Sequence, residues 1–139
     1  MTKEQTLFAF YGTLRHGEGN WKWALKDKAK YIKTVVVYGY EMFSLGGYPI
    51  VIPSEDKTAP ITIELFENTD QQSVNSIDRM ERGAGYDHVM LDIDGEEYLM
   101  YVGNPRYYTK DKMVNYFQIH GGDWIKYINS PQKVNDPIC

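Results

Sequence analysis

Two short stretches of the chain carry residue types suited to chemistry. The first is Tyr11-Gly12-Thr13-Leu14-Arg15, which closes the apolar, aromatic run Leu7 to Tyr11. A strand that ends at a glycine leaves backbone N–H groups without ladder partners, and several can then point at one anion. A carboxylate or a developing oxyanion suits such a cradle. Gly12 serves equally well where the chain only needs to turn. The second stretch centres on Glu81, three residues after Asp78 and close to Arg79 and Arg82. The spacing of Val74, Ile77 and Met80 puts it in the last turn of a helix, at the negative end of the helix dipole, where an ionised carboxylate is disfavoured. Glu81 is then either a site carboxyl or an ion-paired surface residue.

Other chemistries find less support. His16, His88 and His120 are far apart and match no metal-ligand spacing, so no metal is expected. No G-K-[ST] follows the Gly12 loop, and Gly17-Glu18-Gly19 lacks a third glycine. No nucleotide or other cofactor is therefore expected. A G-x-S-x-G elbow is missing, and neither Ser44 nor Ser54 has a nucleophile context. The single cysteine, Cys139, is the last residue. It is too frayed a position for a nucleophile, and one cysteine makes no intrachain disulfide, as in a reducing compartment.

Charge and hydropathy narrow the partners. A net charge of −4 supplies no basic surface for nucleic acid, and the short lysine runs are broken by acids and aromatics. Met1 to Gln5 has no apolar leader, and no segment is long and apolar enough for a bilayer. A cytoplasmic protein with no membrane partner is the expectation. Nothing in the sequence bears on oligomeric state.

Positioning the two stretches takes a set of strands and few helices. With 139 residues the chain is expected to form one domain over 1–139, with a loose tail from about 130. Its 12 tyrosines fit half-buried positions in strands and pocket rims. Leu7 to Tyr11 reads as a buried strand, and Asn20 as the cap of a short helix carrying Trp21, Ala24 and Leu25. Tyr31 to Leu45 is strand-like, broken by a bulge or bend at Gly39. Ile50 to Ile52 and the alternating run Ile61 to Phe66 are further strands. Thr69 and Gln72 match a capping box for the helix that carries Glu81, which stops near Arg82 before Gly83 and Gly85. Val89 to Ile93, Asp94-Gly95 and Tyr98 to Val102 make a hairpin. Asp123 caps a last short helix through Trp124 and Ile128. The sum is an α+β domain with a mixed or antiparallel, barrel-like sheet.

Taken together, these stretches resemble the gamma-glutamylcyclotransferase-like proteins, including the gamma-glutamylamine cyclotransferases. The resemblance rests on Phe10-Tyr11-Gly12-Thr13-Leu14-Arg15 with Gly17 and Asn20, and on Leu45-Gly46-Gly47-Tyr48-Pro49. It rests also on Ile77-Asp78-Arg79-Met80-Glu81 with Gly85-Tyr86, and on Gly122-Asp123-Trp124. It covers about residues 7 to 128. It implies a small mixed β-barrel with a few short helices, no cofactor, and a small γ-glutamyl compound as substrate. The implied reaction is attack of the substrate's α-amine on its own γ-carbonyl, giving 5-oxoproline and a free amine or amino acid.

In that scheme Glu81 is the general acid and base. Backbone N–H groups of Gly12, Thr13 and Leu14 hold the substrate's carboxylate or oxyanion. Tyr11, Tyr48, Tyr86 and Tyr101 form the wall. Arg15 either attracts the α-carboxylate or braces the loop. Family members often carry Tyr-x-Arg where this chain has Tyr86-Asp87-His88, a difference that bears on substrate preference. Two other functions fit the same motifs: a non-catalytic binding or regulatory protein, and a γ-glutamyl hydrolase or transferase.

Overall fold

The computed structural model describes residues 6–15, 17–18, 21–22, 25–113 and 115–130. Its elements are β1 (Thr6–Phe10), β2 (Ala29–Tyr38), β3 (Tyr40–Ser44), β4 (Pro49–Pro53), β5 (Pro60–Asn68), α1 (Gln71–Gly83), β6 (Tyr86–Ile93), β7 (Glu96–Gly103), α2 (Lys110–Met113), β8 (Phe117–Ile119) and α3 (Trp124–Ile128). The helix expected after Asn20 and the tail beyond Ser130 lie largely outside the described residues.

Strands form a five-stranded sheet ordered β2-β5-β1-β7-β6 and a three-stranded sheet ordered β4-β3-β8. Among the described residues only the β1–β7 pair is parallel; the remaining pairs are antiparallel. The expected barrel is not closed. Among the described residues β2 and β6 are free edges of the larger sheet, and the smaller sheet packs against it without joining its ladder. The domain is α+β, as expected.

β1 lies at the centre of the larger sheet and both of its faces are buried, which is why it reads as an unbroken apolar run. Phe8 and Phe10 join one core cluster with Phe43, Ile50, Ile77 and Tyr101. Ala9 and Tyr11 face the other way, into a cluster with Met42, Val51, Ile63, Met100 and Trp124. A strand held on both faces is a rigid mount for the loop that follows it.

Local signals hold with one exception. Gly39, at φ 99°, separates β2 from β3. Asp94 and Gly95 both take positive φ between Ile93 and Glu96, the geometry of a two-residue hairpin turn. Asp123 caps α3 by accepting from the Lys126 N–H. The cap of α1, however, is Asp70, whose carboxylate accepts from the Ser73 N–H at 3.1 Å. The expected Thr69–Gln72 box is therefore displaced by one residue; a carboxylate is at least as good a cap and also faces the positive helix end. α2 and β8 carry no sequence signal of their own. Among the described residues no helix is long and apolar enough to cross a membrane.

Candidate active site

The loop after β1 is shaped by two contacts. Gly12 lies flat against Pro49: a Cβ at Gly12 would sit 2.8 Å from the proline Cγ, closer than carbon atoms tolerate. The loop's carbonyls are already used, Gly12 O accepting from the Arg15 N–H at 3.0 Å and Thr13 O from the Trp21 N–H at 3.1 Å. The N–H groups of Gly12 and Leu14 donate to no acceptor among the described residues. This is the arrangement an anion cradle requires.

Arg15 settles one of the open alternatives. Its Nε donates to Glu64 Oε2 at 2.7 Å and its Nη1 to Asp123 Oδ1 at 2.8 Å, and the residue is 6% exposed. It does not line the cavity described below, so its expected role as a substrate-binding residue is corrected to that of a brace. The physical reason lies in the pairing of β1 with β5, which sets Glu64 beside Phe10. A buried guanidinium takes the acceptors that its planar fork can reach. Gly122, at φ 67°, lets Asp123 approach, because any side chain there would overlap the Pro60 carbonyl.

Beside the loop is a largely apolar cavity of about 320 Å³. It brings together residues from every predicted motif but the last. Tyr11, Gly12, Thr13 and Leu14 form one wall, and Tyr48 with Pro49 another. Glu81, Tyr86 and Tyr101 complete it. Phe10, Met80 and Ala84 also line it and were not anticipated; Met80 and Phe10 read as plain core residues, and Pro49 as a turn residue.

The tyrosines differ in what their hydroxyls do. Tyr86 donates to the Pro49 carbonyl at 2.8 Å, so the residue that Gly12 rests on is itself pinned from the opposite side. Tyr101 donates to Asp78 Oδ1 at 2.8 Å and ties α1 to β7. The Tyr11 hydroxyl is sealed beside the Val51 amide without reaching hydrogen-bond geometry. Burial holds all three well above the ordinary phenol range, and Glu81 adds to each.

Glu81 itself is mostly withdrawn from water in the last turn of α1. Arg82 does not pair with it: its Nε donates to Asp78 at 3.0 Å and its Nη1 lies 3.5 Å from Asp87. No hydrogen bond or ion pair reaches the Glu81 carboxyl among the described residues. Burial alone pushes its pKa from 4.5 to about 8. A carboxyl so placed exchanges protons near neutrality, as a general acid and base must. His88, where the family often has arginine, lies outside the cavity, with its Nδ1 2.8 Å from Arg82 Nη2.

Residues 8–126 match the family described as gamma-glutamyl cyclotransferase, AIG2-like. An AIG2-like protein from Mus musculus superposes with a TM-score of 0.64 at 18% identity, over 93% of this chain and 92% of that one. The protein ytfP from Escherichia coli gives 0.65 at 24% identity, over 86% and 96%. Allophanate hydrolase from Kluyveromyces lactis contains a similar region, with a TM-score of 0.69 at 16% identity, over 90% of this chain but 21% of that one. These likenesses establish the fold, which proteins of different function share. No curated protein gives a significant match. The family match runs from β1 into α3, and on that extent the chain belongs to the gamma-glutamyl cyclotransferase, AIG2-like family.

Proposed function

We propose that the protein is a γ-glutamyl cyclotransferase that converts a γ-glutamyl amide to 5-oxoproline and a free amine. One observation carries the reading: a desolvated carboxyl, Glu81, with a pKa of about 8, shares one small cavity with a loop whose Gly12 and Leu14 N–H groups meet no acceptor among the described residues. Nucleophile and electrophile belong to one substrate molecule, so the protein needs to fold that molecule and move a proton.

The steps balance without a cofactor. The loop N–H groups hold the substrate's α-carboxylate or the oxyanion, and the apolar wall excludes water. The α-ammonium, of reference pKa about 7.7–8.0, gives its proton to Glu81, a transfer nearly even in energy. The freed nitrogen lone pair attacks the γ-carbonyl carbon and the carbonyl π pair moves to oxygen. As the tetrahedral centre collapses, the leaving nitrogen takes the proton from Glu81 and its C–N bond breaks; the regenerated carboxylate then takes the second proton from the ring nitrogen and passes it to the departing amine, which leaves as an ammonium. One ring bond forms, one amide bond breaks, and Glu81 ends as it began.

The test is to incubate the protein with simple γ-glutamyl amides and quantify 5-oxoproline, free glutamate and amine. 5-Oxoproline in equal amount to amine is the expected result. Free glutamate as first product would instead assign water as the nucleophile, and binding without product would assign a non-catalytic role.

A further inference from the structure

Strand β2 leaves one side of the larger sheet open. Among the described residues it pairs with β5 alone, so every second N–H and C=O along it points away from the sheet. An irregularity between Tyr31 and Lys33 divides the strand. Beyond it, Val35 and Val37 turn inward onto the cluster of Ile61 and Ile63. Val36 and Tyr38 turn outward and are 48% and 63% exposed. With Tyr31 and Ile32 they make up four of the eight exposed large apolar side chains among the described residues. Exposed apolar surface is thus concentrated on the one strand whose backbone lacks a neighbour on that side.

Positive charge collects at the same place. From Lys22 to Lys33 the sequence holds five lysines and one aspartate, a net +4, so the rest of the chain carries −8 to leave the overall −4. Lys33 is answered by Asp94 of the β6–β7 turn. Lys22, Lys26 and Lys30 are exposed and form no ion pair among the described residues, although Glu67 faces Lys30 across the ladder. Lysines on an edge discourage pairing with another strand of the same kind. β2 carries Lys30 and Lys33 and no acid, so two copies joined edge to edge would bring like charges together. An acidic strand meets attraction instead. A membrane surface would answer the lysines but leave the backbone groups of the edge without partners, which lipid cannot supply.

We infer that the open side of β2 is a docking site for an extended acidic segment of another protein, which adds as a strand antiparallel to β2. The apolar residues of that segment cover Val36 and Tyr38 along Lys33–Tyr38, a ladder of about six residues. Its acidic residues follow toward its C-terminal end and lie against Lys30 and Lys26. Main-chain hydrogen bonds supply the affinity, and the lysines supply the choice of partner. No residue of β2 lines the cavity, so the site stands or falls apart from the reaction carried out there.

Two labelled peptides test it by fluorescence anisotropy on the whole protein. Both alternate threonine and valine over six residues; one ends in four glutamates and the other in four lysines. The glutamate peptide should bind at least about tenfold more tightly, and its advantage should shrink as salt is raised. Lys26→Glu combined with Lys30→Glu should reverse the preference. With the glutamate peptide bound, amide exchange followed by NMR should slow at alternate residues of Lys33–Tyr38. Equal binding of the two peptides overturns the inference. So does glutamate-peptide binding that leaves β2 exchange unchanged, which reduces the lysines to charge attraction alone. Slowed β2 exchange that grows with protein concentration and needs no peptide gives the edge to a second copy. Binding to vesicles of anionic lipid while neither peptide binds gives it to a membrane, and either result overturns the docking site.

Discussion

Glu81 offers a prediction in which stability and activity move in opposite directions. Its carboxyl titrates at about 8 in the folded protein, against 4.5 for an unhindered glutamate. The folded value is raised, so the unfolded chain ionises first as pH rises. Between those two values the folded protein binds the extra proton, and stability falls with increasing pH. The neutral carboxyl is tolerated fully below 4.5, and the penalty is complete above about 8. At about 1.4 kcal/mol per pH unit, the loss between pH 6 and 8.5 is about 3 kcal/mol. Local relaxation and water entry reduce that figure. Glu81→Gln keeps the shape and removes the titration. Urea denaturation of both proteins at pH 6 and pH 8.5 measures the difference. The variant should gain on the wild type by up to about 3 kcal/mol across that interval while losing at least ~10² in rate, the scale for a general acid–base group. Parallel pH profiles of stability for the two proteins would falsify the desolvated placement of this carboxyl. Unchanged 5-oxoproline formation would remove it from the chemistry.

Three further outcomes follow from other contacts. In the wild type, kcat/KM should climb toward pH 8 as Glu81 loses its proton and fall above it as the substrate loses the ammonium proton that Glu81 relays; a pH–rate profile flat from 6 to 9 contradicts this. Gly12→Ala should push the loop off Pro49, costing about 1–3 kcal/mol in stability by overpacking and ~10² in kcat/KM by misplacement, measured by thermal melts and steady-state kinetics. Arg15→Met should destabilise by about 3–5 kcal/mol, because Glu64 is left buried and without its cation, and pairing it with Glu64→Leu should recover most of that loss in urea titrations.

Much of the frame was legible in the sequence because it rests on short-range signals. β1 announces itself as an apolar run, the β6–β7 hairpin by Asp94-Gly95, and α1 by Val74, Ile77 and Met80. The cap of α1 was missed because Thr69–Gln72 and Asp70–Ser73 compete one residue apart, and only the backbone decides between them. β8 has three residues and exists through its pairing with β3, which no local pattern reveals. In the site, the family motifs located the loop and Glu81. What they left open was direction. Arg15 had two possible destinations, and its partners Glu64 and Asp123 lie 49 and 108 positions away. Pro49 looked like a turn residue, since its use as a platform for Gly12 arises only when β4 and the β1 loop meet. Sequence spacing carries no record of such contacts.

The Arg15–Asp123 contact also sets an order of assembly. The loop that holds Gly12 and Leu14 precedes one of its two anchoring carboxylates by about a hundred positions, Arg15 and Asp123 being 108 apart. A nascent chain can pair β1 with β5 and seat Arg15 on Glu64 once residue 68 has emerged. The second arm of the guanidinium then waits until Gly122 turns and Asp123 arrives. Until then the loop has one of its two carboxylate anchors, and the second arrives together with Trp124 and Tyr127, which complete the core cluster around Ala9 and Tyr11.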